Sequence, residues 1–190
     1  QTISYFPHFI STVIIVGLLK QLAADDGIFN IIRGYFGAPS VLFFAEKDWF
    51  RTLYIGSGIW QGVGWGSIIY LAALSGVDVE LYEAAEIDGA NRWHKTLHIT
   101  LPAILPTVTI LLILSTSSII SVGFEKVMLM YNPSIYDVAD VISTYVYREG
   151  IEGARFSYTT AVGLLQNIVA FMLLYFANLA SRKISETSLW

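Results

Sequence analysis

The stretch from Thr96 to Phe124 reads TLHITLPAILPTVTILLILSTSSIISVGF and contains no Asp, Glu, Lys or Arg. The hydrocarbon core of a bilayer is crossed by about 20 apolar residues of helix, so this run is long enough. Three further uncharged runs, 1–19, 52–77 and 156–181, meet the same requirement once tilt is allowed. Charged residues make up only 14% of the chain and the mean hydropathy is +0.60. A soluble domain carries roughly 25% charged residues, and its helices do not need four such runs. The runs are continuously apolar, without the alternation of a β-barrel. The fold class is therefore all-α and polytopic, one membrane domain over 1–190 with spans near 7–24, 52–75, 102–123 and 158–180.

Local signals add detail. Pro7 suits the first turn of span one, where its missing N–H costs nothing, and Lys20 can snorkel at the other end. Asp26 is a candidate N-cap. After it Ile28, Ile31, Ile32, Tyr35 and Phe36 recur at helical spacing, with Asn30 and Arg33 on the other side. That segment reads as an amphipathic helix at a membrane interface or packed on a neighbouring subunit. In span two Gly58, Gly62 and Gly66 share a face and would let another helix approach closely, with Gly56 and Gly64 adding small surface. Ser134, with Asp137 three residues on, predicts a helix start. Its apolar stripe is Ile135, Val138, Val141, Ile142 and Tyr145, and Gly150 ends it.

Four spans put both ends on one side. Lys and Arg do not say which: Arg92, Lys95, Arg182 and Lys183 lie on one side, and Arg33, Lys47, Arg51, Lys126, Arg148 and Arg155 on the other. The first run has no basic n-region and no A-x-A site, so it is not a signal peptide. The chain is expected to lack its N-terminal part. The net charge of −4 and the absence of Cys point to no nucleic-acid partner and no thiolate site.

The segment 77–101 is polar and reads as helix, turn, helix. Asp78 can cap the first helix, with Glu80 in its first turn. Gly89 supplies the turn. Ala90 to Leu97 forms the second helix, with Trp93 and Leu97 on one face, and Pro102 opens the next span. The first helix is acidic and the second basic. From the residues alone, this hairpin either enters a groove on another protein or merely connects two spans.

The stretch Glu83-Ala84-Ala85, three residues, Gly89, nine residues, Ile99, one residue, Leu101-Pro102 resembles the EAA loop of binding-protein-dependent ABC importer permeases at all seven fixed positions. The segments 4–11 (SYFPHFIS), 65–74 (WGSIIYLAAL), 131–133 (YNP) and 140–148 (DVISTYVYR) are similar to the LplB-like polysaccharide permeases of the carbohydrate-uptake group. The resemblance implies a MetI-like, type I importer transmembrane domain with four of six core spans, in the bacterial cytoplasmic membrane and surrounded by lipid. It implies a cytoplasmic EAA loop in which Glu83 meets a separate ATPase dimer, Ala84 and Ala85 keep the helix thin enough to seat, Gly89 turns the hairpin, and Asp88 and Arg92 join the contact. It further implies a second permease subunit, a different chain, and an extracellular or periplasmic sugar-binding protein. ATP and Mg would be bound by the ATPase, with no cofactor in this chain, which is not itself an enzyme. The implied cargo is an oligosaccharide or polysaccharide fragment.

Other signals are set against this reading. His94 and His98 stand at a metal-ligand spacing, but Lys95 occupies the place of a zincin's Glu and no third ligand follows. No Walker A pattern and no supported catalytic triad occurs. A secondary transporter or channel is the alternative, and it would use intramembrane carboxylates, whereas none of the four spans contains Asp or Glu. Gln61, Gln166 and Asn167 are polar groups within spans, serving interhelical bonds or a substrate path. Gln61 and Trp65 share a face of span two, and Ser115 and Ser118 a face of span three. Together they are the candidate sugar-binding set. The competing role is Trp65 facing lipid and the serines bonding their own helix.

Overall fold

The computed structural model describes residues 2–120 and 122–185, the side chains of 117, 118 and 183–185 excepted. It contains helices and no strand among those residues. Among the described residues two helices are long and apolar enough to cross a bilayer, Arg92–Thr116 and Phe156–Arg182. Two bent pairs meet the same test together: Thr2–Phe9 with Thr12–Leu22, and Lys47–Ser75 with Val79–Ile87. Much of their apolar surface is exposed, Leu165, Phe171 and Phe176 among it, as befits helices whose surroundings are lipid or protein and not water. The chain divides into two compact units, Gln1–Trp65 with Ser121–Gly163, and Gly66–Ile120 with Leu164–Trp190.

The first unit has a core of Val16, Ala23, Phe43, Phe50, Leu53, Val127, Met130, Ile135 and Ala139. Its first long helix does not begin at Pro7. Residues Phe6–Phe9 form a 3-10 turn, Ser11 is extended and caps Thr12–Leu22 by accepting from the Ile14 N–H, and the chain bends by 103° there. A serine hydroxyl that satisfies an orphan N–H is the stronger start signal.

Gly27, not Asp26, precedes the helix Ile28–Tyr35. A side chain at 27 would collide with the carbonyls of Gln21 and Leu22. The polar face of this helix is the one turned into the unit. Asn30 is buried, donating to the Ala24 and Val41 carbonyls at 3.0 Å each and accepting from the Val41 N–H at 2.9 Å. Ile28, Ile31, Ile32, Tyr35 and Phe36 face outward. One amide closes the loop around it, because an unpaired buried loop carbonyl is costly, and the apolar stripe is left free for an interface or a neighbouring subunit.

The helix predicted from Ser134 to Gly150 is broken. Asn132, not Ser134, caps the first turn, accepting from the Ser134 N–H at 2.9 Å. The chain is extended at Asp140 and Val141 and restarts as Ile142–Tyr147, continuing into a π turn, Arg148–Glu152. Asp140 explains the break: its carboxylate accepts from Thr144 at 2.6 Å and from the Arg148 guanidinium at 2.5 Å, a local competitor to helix propagation.

In the second unit, span three and the second helix of the loop are one continuous rod. Arg92–Lys95 runs through a π turn, Thr96–Thr100, into Leu101–Ser118. Pro102 lacks the N–H that a regular turn would require, and the π turn immediately before it absorbs the irregularity. Gln166 in the helix Phe156–Ser185 donates to the Ile120 carbonyl at 3.0 Å.

The glycine pattern of Lys47–Ser75 also resolves differently. The close approach is at Gly64, where a methyl would run into the Ser4 carbonyl. Gly56, Gly62 and Gly66 have nothing within 4 Å of such a methyl, and Gly58 has only the Lys126 amine, at 3.5 Å.

Candidate functional site

The polar hairpin lies wholly in the second unit and is built from caps. Asp78 accepts from the Glu80 N–H at 2.9 Å and starts Val79–Ile87. At the other end Gly89 adopts φ +75°, the Ala90 N–H reaches the Ala85 carbonyl at 2.9 Å, and the Gly89 N–H reaches Glu86 at 3.0 Å. That is the paired bonding of a Schellman cap, which needs a residue at ease in the left-handed region. Asn91 then caps the second rod, accepting from the His94 N–H at 2.9 Å.

Side chains lock the two arms. Lys95 Nζ bonds Glu86 Oε2 at 2.9 Å, and the Tyr82 and Thr100 hydroxyls are 2.8 Å apart. Glu83, Ala84, Asp88, Gly89 and Arg92 are exposed and Ala85 is half-buried. Among the described residues the side chains of Glu83, Asp88 and Arg92 have no ion-pair partner. Ile87 and Trp93 beside them are 88% and 76% exposed. A braced hairpin with unpaired charges and bare apolar residues has the composition of a protein-docking surface, with aromatic anchors among polar groups. No group of three or more metal-binding side chains occurs among the described residues.

The candidate sugar residues fall in separate settings. In the first unit Gln61 donates to the Ile10 carbonyl at 3.2 Å, holding the break between the first two helices. Trp65 is stacked on His8, with 4.5 Å between centroids and the rings 2° from parallel. Ser115, in the second unit, donates to the Leu112 carbonyl at 2.9 Å. The side chain of Ser118 lies outside the described residues.

Gln61 also lines an open cleft of about 590 Å³ in the first unit, together with Tyr54, Ile55, Gly58, Gly62 and Lys126. Lys126 was not legible as a site residue, since a single Lys in FEKVMLM reads as a solvated loop charge. The helix Phe124–Met130 instead turns it inward. Its amine donates to the Tyr54 carbonyl at 3.1 Å, lies 5.1 Å from the centre of the Tyr54 ring, and only 9% of the residue is exposed. Burial lowers its pKa from the ordinary lysine value. The one available signal was its place just beyond a long uncharged run.

A sequence profile described as binding-protein-dependent transport system inner membrane component matches residues 1–186. The chain is 43% identical over its whole length to a Bacillus subtilis protein named as a polygalacturonan/rhamnogalacturonan transport system permease, YteP, and 42% identical to Protein LplB of the same organism, covering 60% of each. Among solved structures, it matches a chain of a bacterial alginate ABC transporter in complex with an alginate pentasaccharide-bound periplasmic protein. That match has a TM-score of 0.95 and 45% identity, covering all of this chain and 66% of the other. The chain thus spans about 60% of the length of these curated relatives. With profile, sequence and backbone in agreement, this chain belongs to the family of binding-protein-dependent transport system inner membrane components.

Proposed function

We propose that the chain is the permease part of an ATP-driven importer of oligosaccharides or polysaccharide fragments, and that its Glu83 hairpin couples it to a separate ATPase. The observation that carries the coupling role is the braced hairpin. Its capped arms are tied by Lys95–Glu86 and Tyr82–Thr100, yet Glu83, Asp88 and Arg92 are left unpaired at its surface. Force from a closing ATPase dimer passes into the membrane only through a rigid lever. The uninterrupted rod from Arg92 to Ser118 supplies one, because the second arm of the hairpin and the following span are the same helix.

ATP and Mg belong to the ATPase in this scheme. A second, different permease chain completes the pathway, and a sugar-binding protein delivers the cargo from outside. The names of the relatives support the cargo class. The test is Glu83→Lys in the full-length permease, reconstituted with its ATPase and partner permease. Stimulation of ATP hydrolysis by loaded binding protein is expected to fall at least tenfold while the protein still reaches the membrane. Wild-type stimulation would remove Glu83 from the coupling contact.

A further inference from the structure

The cleft beside Lys126 carries chemistry that the coupling role does not use. We infer that it is a carboxylate-binding site for uronic-acid sugars, with Lys126 as the residue that selects acidic over neutral cargo. This rests on the transport reading above and adds the substrate class and the residue that recognises it.

The first ground is the state of the amine. A lysine nine-tenths buried is normally matched by a carboxylate. Among the described residues none lies within 4 Å of Lys126 Nζ. An ammonium has three N–H donors. The Tyr54 carbonyl takes one at 3.1 Å, and among the described residues no other hydrogen bond uses the remaining two. The site thus retains a largely buried positive charge with donor capacity, and a carboxylate is the partner that forms the strong charge-assisted bond.

The second ground is shape. Gly58 and Gly62 have no side chains to fill the cleft, and Gly58 leaves the amine bare on that side. The volume of about 590 Å³ falls within the roughly 300–1,000 Å³ of small-molecule sites. The third is the neighbouring amide. Gln61 spends one N–H on the Ile10 carbonyl and keeps its own carbonyl oxygen for a sugar hydroxyl. A charge for the acid, an acceptor for a hydroxyl and the Tyr54 ring form a set matched to a uronate and in excess of what a neutral sugar requires. Polygalacturonan and alginate, in the names of the relatives, are both uronic-acid polymers.

An anionic lipid phosphate would satisfy the same amine, so the test separates the two. Binding of trigalacturonate and of its fully methyl-esterified form is measured by equilibrium dialysis on the detergent-solubilised full-length complex, without binding protein. Wild type, Lys126→Met and Lys126→Arg are compared, with and without added phosphatidylglycerol. Wild type is expected to prefer the acid by about tenfold, the loss associated with one charge-assisted bond. Lys126→Met should abolish that preference and Lys126→Arg should keep it. Size-exclusion profiles show whether each variant assembles.

Equal weakening of both ligands in Lys126→Met would make the lysine a packing residue and overturn the site. So would equal binding of acid and ester by wild type, or displacement of trigalacturonate by phosphatidylglycerol in wild type but not in Lys126→Met, which would assign the amine to lipid. A wild-type complex with normally stimulated ATPase that binds neither sugar would keep the transport reading and remove the carboxylate site.

Discussion

Lys95 reaches back across the Gly89 turn to hold Glu86 at 2.9 Å, leaving Glu83, one turn earlier on the same helix, unpaired. The two glutamates are therefore expected to behave differently. Glu86 is largely exposed, so its ion pair is worth at most about 1 kcal/mol. Glu86→Ala is expected to lower thermal stability by no more than that and to leave stimulated ATPase activity within about twofold, unlike Glu83→Lys. Loss of stimulation in Glu86→Ala would move the coupling contact onto the brace.

Gly89 at φ +75° tolerates a β-branched residue poorly. Gly89→Val is expected to cost about 1–2 kcal/mol and Gly89→Asn less, because asparagine visits the left-handed region more readily. Thermal unfolding of the purified protein in detergent reads both. Equal stabilities would mean that the turn relaxes to another geometry.

Gly64→Ala is expected to destabilise the first unit by about 1–3 kcal/mol, since the backbone at Ser4 must shift to admit the methyl. Gly56→Ala, with nothing within 4 Å, should be neutral or stabilising by up to about 1 kcal/mol. The pair is compared by thermal unfolding. A neutral Gly64→Ala would place the chain's first residues elsewhere.

The Asp140–Arg148 pair predicts a pH dependence. Burial pushes the Asp140 carboxyl up, but the bonds from Arg148 and Thr144 outweigh it and hold its pKa below the ordinary value. A carboxylate depressed in the folded state stabilises at all pH above its unfolded pKa of about 3.9, and that stability is lost as pH falls through the lower, folded value. Arg148→Gln is expected to cost about 1–3 kcal/mol at pH 7. The gap to wild type should narrow only below about pH 4. A gap that closes between pH 7 and 5 would assign it to another group.

Single cysteines test the four-span topology, and the chain has no Cys of its own. Ile87→Cys and Ser134→Cys occupy exposed positions and spare the caps formed by Asn91 and Asn132. An impermeant maleimide applied to intact cells is expected to label Ser134→Cys and not Ile87→Cys. Labelling of both would overturn the arrangement.

Some features were local and therefore readable from the residues. The uncharged runs require apolar surroundings. Asp78 caps the next helix through its own backbone neighbour, and Gly89 turns because nothing else sits as easily at positive φ. The seven EAA-loop positions lie within 20 residues of chain, so spacing alone displays them. Other features depended on partners far along the chain. Asn30 faces inward because Val41 and Ala24 offer it three bonds. Gly64 is the close-contact glycine because Ser4 arrives there. The helix expected to run from 134 to 150 breaks because Arg148 and Thr144 converge on Asp140. Lys126 became a buried cation because Tyr54, 72 residues earlier, presents a carbonyl to it. Caps, turns and hydropathy act within about one helical turn and are written in sequence order. Which polar group is taken out of water, and what it meets there, is decided by contacts that only the folded chain brings together.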